Sequence, residues 1–190
     1  MVVQAIIFDC FGVLYQGSLD YLYNITPRQH HRELRDLNRA SDYGYISHSK
    51  FLDEVGRLTG LPGDEIDSLM QTRHVRNQPL IDLIVKLKKN YKIGLLSNIA
   101  EGVLNDLFSP DEQAELFDAV VLSSSIGATK PSPATYESIA VRLGLDTRDC
   151  LMVDDIPANI DGAQRTGMPG VIFYSTPQFE AELAEKGLIK

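Results

Sequence analysis

Apolar residues fall along this chain in two rhythms. Short continuous runs rich in valine, isoleucine and leucine predict buried strands at Val2–Phe8, Lys92–Leu96, Ala119–Leu122, Cys150–Val153 and Val171–Tyr174. Between them, apolar positions recur at helical spacing. Leu80–Lys89 reads as an amphipathic helix, Glu101–Leu116 as a polar helix-and-loop segment, and Ser132–Leu143 as a helix with Tyr136, Ile139, Ala140 and Leu143 turned inward. Pro157–Thr166 is predicted helical and closed by Gly167, and Pro177–Lys186 is the last helix. Strands alternating with helices predict right-handed crossovers and a parallel sheet covered on both faces, a doubly wound α/β core.

The rhythm changes between residues 15 and 77. This stretch has no comparable strand run and holds all four histidines and most of the tyrosines. Pro27 opens a predicted helix over Arg28–Arg39. A second covers Ser47–Leu58, with Phe51, Leu52, Val55 and Leu58 on one face and Gly60 as its stop; a third covers Pro62–Met70. The expected organisation is a core of residues 1–14 and 78–190 with an all-helical cap, residues 15–77, inserted after the first strand. Both ends of the insertion must meet the crevice at that strand's carboxyl end, which makes it a lid.

Composition narrows the partners. The 190 residues are 44% hydrophobic and carry a net charge of −8, an ordinary globular balance whose sign disfavours nucleic acid and anionic membrane surfaces. No apolar run approaches the roughly 20 residues of a membrane span, and the first residues lack the features of a secretion signal. Cys10 and Cys150 both lie in apolar runs and read as reduced, buried thiols. A cytoplasmic monomer or homodimer acting on a small molecule is the expectation.

Candidate chemistry collects where strands end. Asp9 follows the first strand, Ser97-Asn98 the second, Lys130 lies beyond the third, and Asp154-Asp155 close the fourth. Carboxyl ends of parallel strands line the ligand crevice of such a sheet. Two or three carboxylates brought together there need a counter-charge, or one must protonate. A hard divalent ion, Mg²⁺, accepts carboxylate, carbonyl and water oxygens and meets that need. Lys130 then balances Asp9 as a nucleophile, while the Ser97 hydroxyl holds oxygens of a phosphoryl group; the pattern suits phosphoryl transfer.

The same residues give the chain a resemblance to the haloacid dehalogenase-like (HAD) hydrolase superfamily. Phe8-Asp9-Cys10-Phe11-Gly12-Val13-Leu14 resembles its first motif, Leu96-Ser97-Asn98 the second, and Lys130-Pro131 the third; Val153-Asp154-Asp155 with Asn159 and Gly162-Ala163 resembles the fourth. The helical insertion resembles the family's first cap type. The resemblance implies an aspartyl-enzyme intermediate on Asp9. It also implies Mg²⁺ held by Asp9, the Phe11 carbonyl and Asp155, with Asp154 bound directly or through water, and substrate bound by Ser97, Asn98 and Lys130.

One departure divides the readings. Most phosphatases of the family carry a second aspartate two residues after the nucleophile, as general acid and base; here Phe11 stands there. Such catalysis typically contributes about 10²–10⁴-fold. One reading is a phosphatase whose substrate, a sugar phosphate for example, has an easier leaving group, or whose acid comes from elsewhere. The Asp-Asp-x-x-x-Asn fourth motif and the cap sequence Gly44-Tyr45-Ile46-Ser47 with Phe51 resemble a subgroup that includes sugar-1-phosphate phosphatases. A second reading is a 2-haloacid dehalogenase, against which the Asp154-Asp155 pair counts. A third is a binding or regulatory domain with little turnover. His30, His31, His48 and His74 are candidate proton donors, and Arg39, Tyr43, Tyr45 and Arg73 candidate substrate contacts. The cysteines lack the arginine of a thiol phosphatase six residues on, and no phosphate-binding Gly-rich loop is present.

Overall fold

The structure, a computed structural model, describes residues 3–100 and 102–189; the predicted positions Val2 and Glu101 lie outside them. Five strands form one sheet: β1 (Ala5–Phe8), β2 (Lys92–Ser97), β3 (Ala119–Leu122), β4 (Cys150–Asp154) and β5 (Gly170–Ile172). Their order is β3-β2-β1-β4-β5 and every pairing is parallel. The chain builds outward from β1 to β3 on one side, then crosses to β4 and β5 on the other. The direction therefore reverses at β1, where a crevice opens at the carboxyl ends.

Strand residues alternate between two buried layers. Ile6 and Phe8 join Leu80, Ile84, Phe179 and Leu183 on one face, the side of α5 (Gln78–Leu87) and α11 (Thr176–Glu185). Ala5 and Ile7 join Tyr136, Ile139 and Ile160 on the other, the side of α9 (Pro133–Leu143) and α10 (Pro157–Arg165). The doubly wound α/β core is as the hydrophobic pattern predicts. The polar segment after β2 resolves into two short helices, α6 (Val103–Leu107) and α7 (Pro110–Leu116), and Ser123–Ile126 add one helical turn, α8, after β3.

Four helices stand between β1 and α5: α1 (Leu19–Ile25), α2 (His31–Asp42), α3 (His48–Thr59) and α4 (Gly63–Gln71). Helix α1 is absent from the sequence expectation, because only Leu22 of its seven residues is buried and no periodicity forms. Arg28–His30 form a 3₁₀ turn, so the predicted helix there begins later and runs to Asp42. Helix α3 matches its forecast: Ser47 accepts from the Lys50 amide at 3.1 Å, and Gly60 takes a left-handed φ of 80°. Leu22, Leu34, Phe51, Val55 and Ile66 form an apolar cluster separate from both sheet layers.

The insertion leaves and returns side by side. The Gln16 amide donates to the Val75 carbonyl at 2.8 Å and the Asn77 amide to the Leu14 carbonyl at 2.9 Å, while Tyr15 and Arg76 form an antiparallel bridge. A second attachment lies at the end of α2. Ser123 Oγ donates to the Asp42 carbonyl, and Gly44, at φ 74°, lies so close that a Cβ there would sit 2.8 Å from the Ser124 carbonyl oxygen.

Candidate active site

Three neighbouring strand ends supply the floor of the site. Asp9 follows β1 and is held in line by its amide, which donates to the Val153 carbonyl at 3.0 Å. Its Oδ1 accepts from the Cys10 amide at 2.7 Å and from Ser97 Oγ at 2.8 Å, and its Oδ2 lies 2.8 Å from Lys130 Nζ. Lys130 Nζ also donates to Asp154 Oδ2 at 2.6 Å, so one buried ammonium bridges two buried carboxylates.

The positions of Lys130 and Asp154 are set by groups around them. Asn98 brackets the Lys130 backbone, accepting from its amide at 2.8 Å and donating to its carbonyl at 3.1 Å. Gly162 on α10 allows the Lys130-Pro131 turn to approach closely; a Cβ there would meet Pro131 Cβ at 2.6 Å. Asp154 accepts from the Ile156 amide at 2.9 Å and from Asn159 Nδ2 at 3.0 and 3.1 Å, and the Asn159 carbonyl accepts from Tyr136 at 2.7 Å. Both Asp154 oxygens thus already accept hydrogen bonds.

Asp155 differs. It is half-buried, and its Oδ1 is closed to solvent with no hydrogen-bond partner. Unpartnered buried carboxylate oxygens are costly. Gly12, at φ 85°, carries no Cβ where one would fall on the Asp155 carboxylate. Asp9, Asp154 and Asp155 each offer an oxygen, all within 4.8 Å of one another. Three acids against one lysine leave excess negative charge, and one oxygen of Asp155 has no partner. This donor set fits a hard divalent cation.

The electrostatics agree with that imbalance. Burial pushes the Asp9 carboxyl up from 3.8 to about 6, against the pull of Lys130 and with the added push of Asp154. Asp155 is raised by burial and then by Asp154. Burial pulls Lys130 down, but Asp9 and Asp154 together outweigh it, so its net movement is upward and it stays charged. Burial pushes the Cys10 thiol well up, which leaves it an inert packing group beside Asp9.

Above this floor lies a cavity of about 310 Å³, at the lower end of the range typical of small-molecule sites. Asp9, Ser97, Asn98 and Lys130 line it from the sheet, and Leu22, Phe51 and Met70 from the inserted helices. Of the candidate histidines, His48 and His74 line it. His30 instead faces Glu33 at 3.6 Å, and His31 bonds the Thr26 carbonyl at 2.9 Å. Arg39, Tyr43, Tyr45 and Arg73 are not among its lining; Arg73 stacks over Tyr21, 3.5 Å from the ring centroid. Asp42 is a lining residue that the sequence did not single out. Its only local signal is a carboxylate in the last turn of a helix, where the dipole disfavours one.

Comparison with known proteins bears on this arrangement. A family model described as haloacid dehalogenase-like hydrolase matches residues 3–167. A phosphatase of Mycobacterium tuberculosis is 38% identical over 82 residues, covering 43% of this chain and 38% of that one. A flavin mononucleotide hydrolase of Arabidopsis thaliana is 32% identical over 62 residues, 33% of this chain and 25% of that one. The chain thus matches well under half the length of these two relatives. The pyrophosphatase PpaX of Bacillus cereus is 24% identical over 179 residues, 88% of this chain and 81% of its own. Among solved structures, a HAD family enzyme of Bacteroides thetaiotaomicron in complex with magnesium and inorganic phosphate superposes with a TM-score of 0.77 at 20% identity, over 92% of this chain and 96% of that one. An L-2-haloacid dehalogenase of Xanthobacter autotrophicus gives 0.64 at 18% identity, over 100% and 85%.

Proposed function

The chain belongs to the haloacid dehalogenase-like hydrolases, and within that family we propose that it is a Mg²⁺-dependent phosphatase of a small metabolite carrying one phosphate, with Asp9 as nucleophile. The observation that carries this reading is the group of Asp9, Asp154 and Asp155, together with the unpartnered oxygen of Asp155. A metal-free dehalogenase has no use for such a donor set, and a phosphatase needs one. Similarity to proteins named as phosphatases supports the same reaction class.

Asp9 Oδ2, which faces Lys130 alone, is the attacking atom, since Oδ1 accepts from both Ser97 and the Cys10 amide. Attack on phosphorus forms the aspartyl phosphate as the leaving oxygen departs. Lys130 offsets the charge on Asp9 and on the incoming phosphate. Asp9, Asp155 and the Phe11 carbonyl would hold Mg²⁺, with Asp154, already satisfied by Lys130, Ile156 and Asn159, acting through water. Mg²⁺, when bound, supplies charge neutralisation on the transferring phosphoryl group. The helices between residues 15 and 77 act as a cap that keeps bulk water from the intermediate.

Among the described residues, the lining of the cavity holds one lysine and no arginine. That composition suits a single phosphate with an uncharged body, part apolar against Leu22, Phe51 and Met70 and part polar against Asn38 and Gln71. Sugar phosphates are the first class to screen. The deciding test is hydrolysis of p-nitrophenyl phosphate with and without Mg²⁺, in the parent and in Asp9→Asn. Mg²⁺-dependent turnover that vanishes in the variant supports the reading. Metal-independent turnover, or turnover that survives Asp9→Asn, refutes it, and no turnover at all leaves a binding domain as the better description.

A further inference from the structure

Breaking a phosphate ester to an alcohol requires a proton for the departing oxygen, and later a base for the attacking water. The residue two places after Asp9 cannot serve. Phe11 has no proton to give, and its ring packs on His74 with centroids 5.0 Å apart. Most other titratable groups lining the cavity are already engaged or stand exposed. Lys130 is committed to Asp9 and Asp154. His74 bonds Ser18 Oγ at 3.1 Å, and burial holds its proton affinity below that of a free imidazole. His48 faces Asp67 at 3.4 Å, and Asp67 also accepts from Gln71 at 2.9 Å. Asp106 is exposed on α6.

Asp42 remains. It lines the cavity with Asp9, is half-buried, and has no cation within ion-pair distance among the described residues. Its Oδ2 accepts from Asn38 Nδ2 at 3.0 Å, one turn back on α2. Its backbone is fixed to the sheet side, because Ser123 at the end of β3 donates to its carbonyl. The carboxyl is therefore placed by the core although it belongs to the insertion. Resting on the phosphatase reading above, we propose that Asp42 is the proton donor and acceptor of this site.

Asp9 Oδ2 forms a bond to phosphorus while the bond to the leaving oxygen breaks, its electron pair going to that oxygen. The Asp42 carboxylic acid gives its proton to the same oxygen and becomes a carboxylate. It then takes a proton from the water that attacks phosphorus, as the bond between phosphorus and Asp9 breaks with its electron pair returning to Asp9. Alcohol and phosphate leave, and Asp42 is again protonated.

The surroundings suit such a cycle. Burial, and after it the charge of Asp9, pushes Asp42 up to about 7, near the operating range of a general acid and base. From the elements packed on α2, helix α3 brings His48 to the cavity, while its Arg57 pairs with Glu33 toward the far end of α2. The 3₁₀ turn places Arg28 and His30 at the opposite end, and α8 contributes no titratable group. Arg39, on α2 itself, lies over the Tyr43 ring at 5.7 Å.

The test is kcat/KM, with Mg²⁺, over substituted phenyl phosphates from p-nitrophenyl phosphate, whose phenolate leaves without a proton, to phenyl phosphate, whose phenolate does not. Asp42→Asn is expected to lose about 10²–10⁴-fold on phenyl phosphate and at most about tenfold on p-nitrophenyl phosphate. The parent's fall in rate on the alkaline side of pH 7 should disappear with it, and Asp42→Glu should recover part of the loss. Equal losses across the series, no loss at all, or the same steepening in His74→Gln instead would overturn the assignment. A parent enzyme with no Mg²⁺-dependent hydrolysis of p-nitrophenyl phosphate would remove the phosphatase reading itself, and the role of Asp42 with it.

Discussion

On the sheet side of the cavity, Asp9, Lys130 and Asp154 are almost closed to solvent, and each is held by two or more partners. On the helical side, Asp42, His48 and His74 are half-buried, and the side chain of each has one polar partner. The apolar support differs in the same sense: two layers grip the sheet, while the inserted helices share a smaller cluster of their own. Reaction chemistry needs groups fixed to within a fraction of an ångström, and the sheet provides that through backbone register. Discrimination between substrates tolerates more slack, and the helices provide shape with fewer constraints.

Substitutions that break this contrast should differ widely in effect. Asp9→Asn should lower kcat by about 10⁴-fold or more while the far-ultraviolet circular dichroism stays that of the parent, because it replaces the proposed nucleophile and keeps its shape. Gly12→Ala puts a methyl group onto the Asp155 carboxylate at a φ of 85°. It should cost about 1–3 kcal/mol of stability by thermal melting and shift the Mg²⁺ activation curve to higher concentration. Phe51→Ala, in the helical cluster and the cavity wall at once, should cost about 3–5 kcal/mol. Hydrogen exchange should locate that loss in α1–α4, with amides of β1, β2 and β4 still protected; uniform deprotection would show that the two sides unfold together.

Asp42→Asn sharpens the contrast through stability. The folded-state pKa of about 7 lies above the ordinary 3.8, so the folded protein holds this proton more tightly than the unfolded chain. The stability it contributes is complete below about pH 4 and is lost as pH rises to about 7. The asparagine variant never pays that loss. Its melting temperature should match the parent near pH 4 and exceed it above pH 7, by the equivalent of about 1 kcal/mol after solvent screening. The smallest effect is expected from Phe11→Asp. With Asp42 already supplying the proton, a second acid should change kcat/KM on phenyl phosphate by less than about tenfold.

Much of the sheet side was legible in the sequence. A run such as Ala5–Phe8, buried on both faces, is continuous and β-branched, and the polar residue that ends it falls where parallel strands end. Asp9, Ser97, Asp154 and Asp155 share that local signature, Lys130 lies in the loop beyond the third strand, and the structure brings all five together. Asn98 was legible as a polar residue of the same edge, but its bracketing of the Lys130 backbone joins residues 32 apart in sequence and leaves no local trace. Asp42 was illegible for the same reason. Its importance comes from Asp9 across the cavity and Ser123 beneath it, whereas its sequence neighbours are ordinary for a polar helix end. Helix α1 escaped because a short helix with one buried side chain has no period to detect.

The paired amides at Gln16 and Asn77, which close the base of the insertion, also bear on descent. A segment whose ends leave and rejoin the core side by side can be lengthened, trimmed or exchanged away from its second attachment at Asp42 and Gly44 without moving any strand of the sheet. Gene copies sharing this core could then diverge in what they consume while inheriting one unchanged reaction. Asp42 would be the exception, a piece of the inherited chemistry carried on the exchangeable part.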